Sequence, residues 1–111
     1  MVKGKKRRRY IGFIIDIHKE DAHIERHDFV RELRQRCRNI FNRDCREMGI
    51  RLIRFNGKHG IVKCDHTEKE NTIKLLNSVD KVGFYRVKVS TIATSGTIRA
   101  LVRKHMKKIE D

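Results

Sequence analysis

Apolar side chains recur along this chain in two rhythms. From Tyr10 to Ile17 the odd positions Ile11, Phe13, Ile15 and Ile17 are apolar, while Tyr10, Gly12, Ile14 and Asp16 are mixed. That period of two predicts a strand with one buried face. Between about 27 and 48 the spacing changes to three and four, through Phe29, Val30, Leu33, Cys37, Ile40, Phe41, Cys45 and Met48. It predicts one amphipathic helix ending at Gly49, with Arg31, Arg34, Arg38 and Arg46 on its other face. Residues 50–55 and 60–65 flank an Asn56-Gly57 turn signal, so a β-hairpin with a loop from Asn56 to Gly60 is expected.

Thr67 followed by Glu70 reads as a capping box that opens a short second helix, with Ile73, Leu76 and Val79 on its apolar side. Alternation returns from Phe84 to Ala93, with Tyr85, Val87, Val89, Thr91 and Ala93 on one face and Phe84, Arg86, Lys88, Ser90 and Ile92 on the other. A third helix follows Thr94-Ser95-Gly96 and runs to about Ile109, with Ile98, Leu101, Val102, His105 and Ile109 along one side. The order βαββαβ plus a terminal helix predicts an α+β fold, a ferredoxin-like or RRM-like sandwich with a four-stranded antiparallel sheet. The additional C-terminal helix then lies across the sheet or its edge.

Length and charge narrow the picture. The chain has 111 residues, room for one domain over 9–111, preceded by a basic tail over 1–8 that is expected to stay disordered until it meets an anion. Lys and Arg number 28 against 14 Asp and Glu, a formal charge of +14, which calls for a polyanionic partner, nucleic acid first. Lys3, Lys5, Lys6, Arg7, Arg8 and Arg9 concentrate that charge in the tail, where phosphate neutralisation would dominate binding. A solvated terminus or a localisation signal is the alternative use of such a tail. Cys37, Cys45 and Cys64 form no short-spaced pair, which argues against a disulfide framework and for a reducing, cytoplasmic setting. The apolar run from Ile11 to Ile17 is too short for a membrane span or a signal peptide. The basic last helix lacks the aromatic anchors of a membrane-surface helix.

Ser95-Gly96-Thr97 stands where a strand gives way to a helix, so its backbone N–H groups and the helix dipole suit a phosphate, with Arg99 one turn away and Arg103 and Lys104 beyond it. An ordinary Ser or Thr cap is the other reading of the same residues. The stretch 9–14 echoes the RRM signature only faintly, and aromatic residues are 6% of the chain with no Trp. Recognition should therefore rest on phosphate, sugar and RNA shape more than on stacked bases. His23 and His27 near Asp21 and Asp28, and Cys64 and His66 flanking Asp65, offer no closed ligand set at metal-binding spacing. No nucleophile-base pair or carboxylate cluster suggests catalysis by the chain itself.

Three stretches resemble the archaeal ribonuclease P protein component 2 family: Arg9-Tyr10-Ile11-Gly12-Phe13, Gly60-Ile61-Val62-Lys63-Cys64, and VSTIATSGTIR from Val89 to Arg99. The Ser95-Gly96-Thr97-Ile98 core of the last is the most specific, although Ala93-Thr94 stands where a valine is expected directly before the Ser-Gly pair. The resemblance implies a subunit of the ribonucleoprotein that removes the 5′ leader from precursor tRNA. Hydrolysis would belong to the catalytic ribonuclease P RNA and its magnesium ions, with no catalytic residue and no cofactor in this chain. It also implies a larger, barrel-folded ribonuclease P protein subunit as partner, and a dimer of such pairs. Ser95, Gly96, Thr97 and Arg99 carry over as functional positions, whereas the tail cations rest on charge alone. A ribosomal or other structural RNA-binding protein of the same fold satisfies every compositional argument equally. An acylphosphatase-like enzyme would need a glycine-rich loop after the first strand, where this chain reads HKEDAHIER, and a free-standing nuclease would need acids that cannot be nominated.

Overall fold

The computed structural model describes residues 7–19 and 22–105. Its elements are β1 (Arg8–Ile17), α1 (Arg26–Phe41), β2 (Arg51–Phe55), β3 (His59–Asp65), α2 (Lys69–Ser78), β4 (Lys81–Val82), β5 (Tyr85–Ser95) and α3 (Ile98–His105). The strands form one curled antiparallel sheet in the order β2-β3-β1-β5-β4. The sheet thus has five strands where four were expected. Gly83 adopts a positive φ of 59° and folds Lys81–Val82 back on Tyr85 and Arg86, so Phe84 leaves the strand for the tip of this turn, fully exposed.

β1 is central and buries both faces along part of its length. Its odd face, Ile11, Phe13 and Ile15, packs with Leu52, Val62, Cys64, Val87 and Val89 beneath Phe29, Leu33 and Cys37 of α1 and Leu75 and Leu76 of α2. On the opposite face α3 crosses the sheet and sets Leu101 against Ile61, with Tyr10, Ala93, Ile98 and Val102 around them. His105, expected on the apolar side of this helix, is exposed, and Ile109 lies outside the described residues.

Two β-bulges make the second layer possible. Gly12 pairs with Ala93 but Phe13 pairs with Thr91, so Ile92 is an extra residue in β5. Beyond it the alternation inverts: Ala93, expected with Val87 and Val89, turns to the α3 side. In β2 the shift falls at Ile53, because Leu52 pairs with Val62 and Arg54 with Ile61. Phe55 therefore joins the helix-side core and Arg54 the α3 side.

The long helix expected over 27–48 breaks at Phe41. Asn42 takes the left-handed conformation with φ 55°, and Asp44 and Glu47 form a capping box that opens a separate 3-10 turn, Cys45–Met48. The apolar spacing continues through the break because Cys45 and Met48 still reach the core, while Ile40 is left exposed. The hairpin loop is three residues, Asn56 to Lys58, tighter than expected, because Asn56 Oδ1 accepts hydrogen bonds from the N–H groups of Lys58 and His59 at 3.0 and 2.7 Å. The Thr67–Glu70 capping box does not form; a 3-10 turn, His66–Glu68, precedes α2, and Thr72 Oγ1 donates to Glu68 O at 2.7 Å. Arginines tie the helices together. Arg36 donates to Glu32, to Asp80 and to the carbonyl of Ser78, and Arg43 pairs with Glu68 at 2.9 Å.

Phe13, Phe29 and Phe55 stack with centroids 5.2 to 6.4 Å apart. The space above Phe13 is open only because residue 60 is glycine: a Cβ there would lie 2.2 Å from Phe13 Cζ. Gly60→Ala is expected to displace the ring and cost about 1–3 kcal/mol. Urea unfolding should show a lower midpoint with an unchanged slope, and an unshifted midpoint would mean that the ring has room to move.

Candidate nucleic-acid interface

The antiparallel register brings the two candidate binding segments of the sequence to one end of the sheet. Tyr10 at the start of β1 lies opposite Ser95 at the end of β5, so Arg8 and Arg9 adjoin Ser95-Gly96-Thr97. The chain is tied down from Arg7, whose carbonyl accepts a hydrogen bond from His66 N at 3.0 Å. Arg8 thus belongs to β1, although the charge pattern places it in the tail. Arg7 and Arg8 are exposed, and Arg9 is half-buried with Nη1 donating to Arg8 O. Lys3, Lys5 and Lys6 lie outside the described residues.

At the start of α3, Thr97 Oγ1 accepts from Ala100 N at 3.2 Å and Ser95 Oγ accepts from Thr97 N at 3.3 Å. The Thr97 hydroxyl therefore caps the helix and that of Ser95 braces the turn before it, and Gly96 is exposed with open space around its Cα. Arg99, Arg103 and Lys104 are exposed one to two turns further on. Arg99 and Arg103 share a shallow trough with Ile98, Val102 and Arg54. The sequence pattern does not single out Arg54, because strict alternation puts it on the helix side; only the bulge at Ile53 carries it round.

The possible metal ligands do not converge. His23 lies against the hairpin turn, where a Cβ on Gly57 would stand 2.4 Å from its Cε1, and His27 pairs with Asp28 at 3.3 Å. Cys64 is fully buried while His66, two residues on, is exposed. Among the described residues no three His, Cys, Asp or Glu side chains come together as a metal site. The three cysteines are free and buried. Cys37 Sγ donates to Met48 Sδ at 3.3 Å and Cys45 Sγ to Leu33 O at 3.7 Å. Burial pushes the Cys45 thiol up to about 12 and raises those of Cys37 and Cys64. At neutral pH they are packing groups and poor nucleophiles.

What the site offers, then, is a cationic surface at one end of the sheet. The model of the Rpp14/Pop5 family matches residues 9–106, from β1 through α3. The chain belongs to this family. It is 31% identical over 102 residues to Ribonuclease P protein component 2 of Archaeoglobus fulgidus, covering 92% of this chain and 91% of that protein. The membership read from the three motifs is thereby confirmed. Among solved structures, a chain of the cryo-EM structure of yeast Ribonuclease MRP superimposes with a TM-score of 0.61, at 15% identity, covering 86% of this chain and 79% of that one. At that identity the likeness is one of fold.

The raised thiol pKa values have a measurable consequence. A group raised in the folded state stays protonated there at pH values that would begin to ionise it when unfolded. At pH 8 the native protein should react with a thiol-specific disulfide reagent only as fast as it opens, and all 3 cysteines should react at once in denaturant. Rapid titration of any native thiol would contradict the packing described.

Proposed function

We propose that this chain is a protein subunit of ribonuclease P, the ribonucleoprotein that removes the 5′ leader from precursor tRNA, and that it binds and supports the catalytic RNA. The observation that carries the reading is the near full-length match to Ribonuclease P protein component 2 in a chain with 28 cationic and 14 anionic side chains. Arg7, Arg8, Arg99, Arg103 and Lys104 are exposed and able to meet phosphates, while Ser95 and Thr97 hold the helix that presents the last three. Each phosphate neutralised releases condensed counterions and lowers the repulsion between RNA segments that must pack together. Magnesium otherwise does this work, so the protein lets the RNA fold at a lower magnesium concentration. In this reading the hydrolytic magnesium ions belong to the RNA, and the chain binds no cofactor.

The order β2-β3-β1-β5 with two helices against one face supports reading the core as ferredoxin-like, with β4 as an added edge and α3 as a cover on the other face. A larger barrel-folded protein subunit, a dimer of such pairs and a cytoplasmic setting complete the proposal. They rest on the family resemblance and on the unpaired thiols.

The experiment is cleavage of precursor tRNA by the ribonuclease P RNA of the same organism, with the larger protein subunit present, as magnesium is lowered with and without this chain. Adding the chain should restore cleavage at magnesium concentrations where the RNA fails, and the chain alone should cleave nothing. If its addition leaves the magnesium dependence unchanged, the reading falls and a ribosomal or other structural RNA becomes the partner to test.

A further inference from the structure

Six arginines of this protein divide by what they touch. Arg26 donates to the carbonyl of Leu52, Arg36 to Glu32, Asp80 and Ser78, and Arg43 to Glu68; these hold elements together. Arg34, Arg46 and Arg51 have no ion pair with a carboxylate among the described residues, and all three are exposed. They line one groove of about 750 Å³ between α1, the 3-10 turn, the start of β2 and the end of β3, together with Arg38 and half-buried Lys63. Its one carboxylate, Asp44, already accepts from Arg38 Nε at 3.0 Å.

We propose that this groove is a second binding site for RNA backbone phosphates, continuous along β2 with the cations of α3; it rests on the reading that the partner is RNA. Cations gathered in a groove where they outnumber the carboxylates repel one another, a cost relieved when a polyanion enters. The bulge at Ile53 supplies the continuity. Arg51 pairs with Lys63 and Arg54 with Ile61, and those two β3 residues share the α3 face, so Arg51 and Arg54 face the same way although they stand three apart. At roughly 3.3 Å per residue they are about 10 Å apart along the strand. Arg54 then adjoins Arg99 and Arg103 in the trough beside α3. The result is a strip of positive charge from Arg34 and Arg46 at one end to Arg103 at the other. A protein partner would need an apolar centre to this surface. The groove's apolar lining, Cys45 and Ile50, is almost wholly buried, at 9% exposure each. Repeated phosphates need only the cations, and the groove supplies them.

The test uses the full chain, a short blunt RNA duplex of mixed sequence, and the triple variant R34Q/R46Q/R51Q. The slope of log affinity against log salt should flatten by about 0.7 to 0.9 for each phosphate that is no longer neutralised, roughly 2 to 3 in all. R34K/R46K/R51K should keep most of the slope, which separates the effect of charge from that of structure. If circular dichroism shows the triple Gln variant unfolded, the single variants R34Q and R51Q carry the test, each expected to flatten the slope by the equivalent of one phosphate. A wild-type slope in a folded Gln variant overturns the groove while leaving the ribonuclease P reading intact. A flattened slope in a protein that has failed the magnesium assay keeps the groove and removes that reading. Poly-L-glutamate bound more tightly than the duplex at equal salt, and released by the Gln variant, overturns RNA in favour of an acidic protein.

Discussion

Phe13 is the point on which the packing turns. Its ring stacks in one cluster with Phe29 of α1 and Phe55 of β2, and its strand is hydrogen-bonded on both sides, to β3 and to β5. One side chain thus fixes the distance of the first helix from the sheet and the position of the hairpin at the sheet's edge. Its placement needs a missing side chain at Gly60 and the inverted phase that turns Phe55 inward. A chain that is only 38% apolar has few such anchors to spare, and it concentrates them where most elements meet.

How much of this was legible follows from which physical signal each element carries. β1 and the helix-side faces of α1 and β3 obey simple periodicity because one layer decides their burial. The break after Phe41 was hidden because the helical spacing of apolar residues runs straight through it; Asn42 and the Asp44–Glu47 box were the available cue. β4 is too short for periodicity to register, and the phases of Arg54 and Ala93 depend on bulges that no local pattern announces. The basic segments at 7–9 and 97–104 were visible as charge, and their meeting at one sheet end required the β1–β5 register. Thr97 proved to be both a motif residue and a helix cap, two readings that sequence alone sets against each other.

The separation of arginines by partner gives the positive charge a shape. Those that clamp α1 to α2 and β4 are neutralised where they sit, and so contribute little to the outward field. Arg34, Arg46 and Arg51 in the groove, and Arg99 and Arg103 on α3, are exposed and not held in such clamps, so their charge faces outward. Cations gathered on one surface orient an approaching polyanion before the two surfaces touch.

The extra residue in β5 also governs which substitutions the chain can absorb. Before it, from Tyr85 to Ile92, a side chain directed away from the helices meets water, as Arg86 and Lys88 do, so alternate positions are open to almost any residue. After it both surfaces of the strand are covered, and Ala93, Thr94 and Ser95 are all half-buried between α3 and the main core. Freedom to mutate therefore ends abruptly within a single strand. The constrained stretch reaches the first residue of the Ser95-Gly96-Thr97-Ile98 motif, so packing alone limits what can stand at position 95, whatever else it touches.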